Sequence, residues 1–189
     1  MPLRSAKPHP VPLVTALLTG PPELAVPFIE QLGDNWCWAA SAQMVLTFYQ
    51  RPKQQCELAN TLFGFRNCCA TRPPLTQPVN GIPACDRRCP GDQVVPLYNQ
   101  FGLAANRLHA VATHAMLEQE ITQQRPVEVG LQIGTGSGHL VIVRWAGTDD
   151  AGQQLVLVNN PLHAESSSMT YQDLQTRGAV DSWTGIQVI

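Results

Sequence analysis

The apolar positions of the first half recur at helical spacing. In CWAASAQMVLTFYQ (residues 37–50), Ala40, Met44, Val45 and Phe48 fall on one face of a helix. Asp34 or Asn35 would cap its start, and Arg51-Pro52 would end it. QQCELANTLF (54–63) predicts a second short helix, and residues 93–100 and 113–124 two more, the last ending at Arg125-Pro126. Between them, residues 64–92 are rich in Pro, Gly, Cys and Asn and predict an irregular loop. From residue 127 the period changes to two. VEVGLQIG (127–134), HLVIVRWAG (139–147) and LVLVNN (155–160) read as strands, with TDDAGQQ as a hairpin turn between the last two and TGIQVI at the end as another strand. Helices first and antiparallel strands second predict an α+β protein, with a helical lobe packed on a β-sheet lobe.

Composition narrows this picture. The 189 residues suit one domain or two small lobes, and 44% hydrophobic residues can build a core. A net charge of −2 without any basic block gives no reason to expect nucleic acid or an anionic membrane as partner. No apolar run reaches the roughly 18 residues of a membrane-spanning helix. Arg4, Lys7 and the run Val11–Leu18 have a faint signal-peptide look, but Pro8, Pro10 and Pro12 interrupt it. Residues 1–30 are therefore expected to be a Pro-rich lead-in, whether linker, pro-segment or targeting segment, and residues 31–189 the domain.

Six cysteines stand out. Cys37 is alone, whereas Cys56, Cys68, Cys69, Cys85 and Cys89 cluster in and beside the irregular loop. Their spacings are not those of a zinc site, and no metal is expected. A loop with few apolar residues gains from cross-links, so the cluster reads as disulfides in an oxidising, extracytoplasmic or secreted setting. Five cysteines allow two bridges and leave one over, and the pairing stays open.

Cys37 opens a predicted helix, where the helix dipole favours a thiolate. A thiol nucleophile also needs an imidazole, which must come from elsewhere in the chain. Among His9, His109, His114, His139 and His163, His139 follows a glycine-rich run and opens an apolar strand. A third group should hold the imidazole. Asn160 ends the next strand, and a hairpin would bring it level with His139, while Asn159 would point to the other face. Gln31, six residues before Cys37, could donate its amide to an oxyanion together with the Cys37 N–H. Trp36, Trp38, Ser137, Gly138 and Trp145 are candidates to line a cleft.

The run Gln31-Leu-Gly-Asp-Asn-Trp36-Cys37-Trp38-Ala-Ala resembles the signature of the papain-like cysteine peptidase superfamily. Its Asn-Trp-Cys-Trp-Ala-Ala form is similar to bacterial papain-like peptidases of the AvrRpt2 type and to the C39-like group. The match continues in Gly138-His139-Leu-Val-Ile-Val and Val158-Asn159-Asn160-Pro161, where Asn160 takes the place of an acidic orienter. The resemblance implies a papain-like fold and a peptidase with Cys37 as nucleophile, His139 as base, Asn160 as orienter and Gln31 in the oxyanion hole. It implies no cofactor and a peptide or protein substrate, with a host or competitor protein as target if the chain is a bacterial effector. The same four residues would also serve an amidase, isopeptidase or acyltransferase, and a non-catalytic binding module on the same fold is the remaining alternative.

Overall fold

The structure, a computed structural model, describes residues 18–133, 137–162 and 167–189. In chain order its elements are α1 (Cys37–Phe48), α2 (Gln55–Phe63), α3 (Val94–Gln100), β1 (Leu103–Leu108), α4 (His114–Thr122), β2 (Val127–Ile133), β3 (Ser137–Thr148), β4 (Gln154–Asn159), β5 (Ser167–Thr170), α5 (Tyr171–Thr176) and β6 (Ala179–Val188). The six strands form one sheet in the order β1-β6-β2-β3-β4-β5, with every neighbouring pair antiparallel. The expected α+β class holds.

Both faces of the sheet are covered. Ile142, Trp183 and Ile186 join Leu46, Leu58, Leu97 and Tyr98 in a core beneath α1, α2 and α3. Val127, Val129, Val141, Val143, Val156 and Val158 face the other way, against Leu117 of α4 and Leu174 of α5. The alternation of the strand sequences is thus two-sided burial, with each parity feeding a different core.

Three elements escaped the sequence pattern. β1 (LAANRL) is half polar and lies at one sheet edge, where only β6 pairs with it. β5 has four residues at the opposite edge, and α5 is a six-residue helix started by a Thr170–Asp173 capping box. β6 begins five residues earlier than the expected 184 (184 − 179), because polar Asp181 and Ser182 interrupt the apolar pattern there.

Residues 19–27 are packed on the sheet and so extend the folded body before residue 31. Thr19 bridges Thr148, the Leu24 N–H donates to the Arg144 carbonyl at 3.0 Å, and Leu24 and Val26 are buried. Glu23 pairs with Arg144. Residues 1–17 lie outside the described residues.

The irregular loop is held by disulfides Cys56–Cys69 and Cys68–Cys85, while Cys37 and Cys89 carry thiols. One bridge ties the loop to α2 and the other ties it to itself. The second anchors Cys85, a few residues before Arg88, Cys89 and Gly91, which line the site.

Candidate active site

The sequence before α1 carries no effective cap. Trp36 occupies the N-cap position without a side-chain hydrogen bond, which corrects the expectation that Asp34 or Asn35 caps the helix. Asp86 of the disulfide-bonded loop takes over. Its carboxylate accepts from the Asn35 N–H at 2.8 Å and from the Asp34 N–H at 3.2 Å. The approach is close: a Cβ on Gly33 would stand 2.6 Å from Pro74 and 2.8 Å from Asp86, so glycine is required there. The turn that delivers Cys37 is thus fixed by a residue 49 positions later in the chain (86 − 37).

Cys37 opens α1 half-buried, facing a cavity of about 420 Å³ between α1, the 88–91 loop and strands β2, β3 and β6. His139, Gly138 and Trp38 line the same cavity. Burial pushes the Cys37 thiol above its ordinary range, and backbone hydrogen bonding from Leu140 and Trp38 partly offsets this. The helix start therefore does not make Cys37 a thiolate by itself. A proton acceptor beside it is needed, and Leu140, whose backbone reaches Cys37, is the neighbour of His139.

His139 is buried, and its Nε2 lies 2.7 Å from Asn160 Oδ1. That oxygen also accepts the Leu162 N–H at 3.1 Å, which fixes the orientation of the amide. A carbonyl oxygen only accepts, so Nε2 donates to it, and in the neutral imidazole the lone pair falls on Nδ1. Period-two geometry puts His139 in line with Val141 and Val143, and Asn160 in line with Val156 and Val158. Asn159, of opposite parity, is fully buried in another task. Its amide donates to the carbonyls of Val26 and Pro27 at 3.1 and 3.3 Å and accepts from Arg144 Nε at 3.0 Å. Between the two asparagines, geometry places Asn160 at the imidazole.

Other candidates fall elsewhere. The Gln31 amide donates to the carbonyls of Gly33 at 2.7 Å and Asp34 at 3.1 Å, and Gln31 is not among the residues lining the cavity. Its Oε1 is buried without a partner among the described residues. Trp36 is a core residue whose indole donates to the Cys85 carbonyl at 2.8 Å, and Trp145 donates to the Pro21 carbonyl at 2.8 Å; neither lines the cleft. These indoles are spent on anchoring the disulfide loop and the N-terminal segment. Trp38 does line it, with its indole donating to Arg87. Ser137 opens β3, but its side chain lies outside the described residues, as do His9 and His163. His114 is buried against the carbonyls of Gly147 and Leu155, and exposed His109 lies 3.6 Å from Asp181.

Two features had little or no sequence signal. Asp86 looks like any loop acid. Glu128 interrupts the valines of β2, and is fully buried with its carboxyl accepting from the Tyr98 hydroxyl at 2.9 Å. Burial pushes its pKa up to about 8. No cluster able to hold a metal occurs among the described residues.

The chain matches the Peptidase C39-like family over residues 23–187. No curated protein matches it. Among solved structures, it is similar to the peptidase domain of Streptococcus ComA, a bifunctional ABC transporter of a quorum-sensing pathway. The TM-score is 0.58 at 12% identity, covering 84% of this chain and 96% of that one. A double-glycine-motif protease from an AMS/PCAT transporter, solved with its leader peptide, gives 0.57 at 14% identity, covering 91% and 98%. A Bacillus anthracis protein described as a C39-like peptidase gives 0.59 at 15% identity, covering 87% and 96%. These likenesses show the papain-like α+β fold.

Proposed function

The chain belongs to the Peptidase C39-like family, and from that premise we propose that it is a cysteine peptidase cutting peptide bonds through Cys37, His139 and Asn160. The observation that carries this reading is the His139–Asn160 hydrogen bond in a cavity that Cys37 shares. In the neutral ring it directs the lone pair to Nδ1, the tautomer a general base needs.

In the reaction, His139 Nδ1 takes the Cys37 proton as the sulfur attacks the scissile carbonyl carbon. The resulting oxyanion lies at the start of α1, where the Cys37 N–H is not used by the helix and the dipole is favourable. The imidazolium then protonates the leaving amine, and a thioester remains. His139 next draws a proton from water, which attacks the thioester and releases the acid and Cys37. Asn160 keeps the ring oriented throughout and stays neutral. Because burial raises the Cys37 thiol, the thiolate exists chiefly as a partner of the imidazolium. Gln31 assists the oxyanion only by giving up one of the two carbonyls that its amide holds.

A peptide or protein is the substrate that fits this reading, in keeping with the leader peptide bound by one structural neighbour. The two disulfides support an extracytoplasmic site of action. The test is a peptide-library digest with the wild-type protein and Cys37→Ala, run beside purified cell-wall material. Cleavage of peptides by the wild type alone supports the reading. Cell-wall cleavage without peptide cleavage, or an active Cys37→Ala protein, overturns it.

A further inference from the structure

The strand that borders the cavity carries a buried carboxyl, Glu128, with no part in the reaction steps. Glu128 sits in β2 two residues before Gly130 and four before Gln132, so all three share one face of the strand, and the latter two line the cavity. Its neighbours across the sheet are Trp183 on β6 and Ile142 on β3, neither of which carries charge. From α3, Tyr98 donates its hydroxyl to Glu128 at 2.9 Å. The Cys37 thiol on α1 and the Cys89 thiol in the loop before α3 line the same cavity as Gly130 and Gln132, and burial raises both. Tyr49, at the end of α1, acts on Tyr98. Arg107 on β1, which also lines the cavity, is stacked on the Trp183 ring and paired with Asp181 at 2.9 Å. A fully buried carboxyl with no cation paired to it among the described residues is expensive when ionised, and an apolar residue would fit the valine-rich strand better. Its place on the strand face that borders the cavity of Cys37 offers a reason for keeping it.

We propose that Glu128 is a positioning residue for this reaction, a carboxyl on the strand bordering the cavity that leaves Cys37 undisturbed while neutral and opposes its thiolate once charged. The proposal rests on Cys37 being the nucleophile. In neutral solution the burial of Glu128 keeps it protonated, and as the pH passes about 8 its proton leaves and a negative charge appears on the strand that borders the Cys37 cavity. The protein therefore carries an upper pH limit of its own making. Tyr98 sets where that limit falls, because its hydroxyl steadies the carboxylate and draws it down.

The experiment follows alkylation of Cys37 by iodoacetamide from pH 5 to 10, read at the Cys37 peptide by mass spectrometry. The wild type is compared with Glu128→Gln and Tyr98→Phe, all with Cys89→Ser so that one thiol reacts. The Gln variant keeps the shape and stays neutral. Its rate should equal the wild type below pH 7 and exceed it above pH 8 by about tenfold, the effect of one unit in thiol ionisation. Tyr98→Phe should move the wild-type break to higher pH. Superimposable profiles for wild type and Glu128→Gln overturn the proposal, as does a difference that is already present below pH 7, which marks a merely structural role. If Glu128→Gln does not fold, the Tyr98→Phe break decides: an unmoved break overturns the proposal. An active Cys37→Ala protein would instead sink the peptidase reading and leave these alkylation profiles intact.

Discussion

His139 Nε2 and Asn160 Oδ1 stand 2.7 Å apart, and the Leu162 N–H holds the same oxygen at 3.1 Å. The imidazole is thus set by a side chain that is itself set by the backbone. Replacing Asn160 with Ala removes the acceptor and frees the ring to rotate. We expect kcat to fall about 10- to 100-fold with KM little changed, since general-base geometry is lost and binding is not. Asn160→Asp keeps the acceptor and should retain most activity. Steady-state kinetics on a cleaved peptide decides, and an Ala variant as fast as wild type would refute the orienting role.

Gln31 gives a prediction of opposite sense. Its amide is committed to Gly33 and Asp34 in the resting molecule. Gln31→Ala should therefore lower kcat by less than about tenfold, and loosen the turn before α1. Loss of a true oxyanion donor costs about 100- to 1,000-fold. A loss of that size would show that the amide swings to the reacting carbonyl during turnover.

Asp86 bridges two distant segments by accepting from the Asp34 and Asn35 amides. Asp86→Ala leaves both N–H groups without their acceptor, at about 1–3 kcal/mol in stability. Because that turn aims Cys37, activity should fall more than stability alone explains. Urea denaturation alongside kcat/KM at a temperature where the variant is folded separates the two effects.

The disulfides close loops of sequence separation 13 and 17. Each should contribute about 3 kcal/mol by restricting the unfolded chain. The double variant Cys56→Ser/Cys69→Ser, which lacks one bridge, should show a markedly lower Tm, and the wild type reduced at both bridges by dithiothreitol should fall lower still. An unchanged Tm on full reduction would mean that the loop is held by packing alone.

Glu128 also makes stability depend on pH. Its carboxyl ionises at about 8 when folded, against an ordinary value of 4.5. Between those values the folded state holds a proton that the unfolded chain has lost, so stability declines as pH rises through the window and levels off above it. Glu128→Gln should remove that slope. Thermal melts at pH 5, 7 and 9 should show the variant gaining on the wild type as pH rises; parallel melts would refute the shift.

The sequence by itself determined the candidate site residues and their local frames. Cys37 at a helix start, His139 at a strand start and Asn160 at the end of the next strand are consequences of period and hairpin connection. So are the α+β class and the division of β3 and β4 into two faces, because local side-chain direction follows from backbone geometry alone. Tertiary structure decided what those residues may do. Only the fold shows that the Gln31 amide is spent on its own turn, that Trp36 anchors the disulfide loop, that Asp86 replaces the missing helix cap, and that Glu128 is buried against Tyr98. Burial, desolvation and pairing across 49 or more residues are properties of neighbours in space, such as Asp86 beside Cys37's turn (86 − 37). A one-dimensional pattern carries the direction of a side chain but not the groups it will meet.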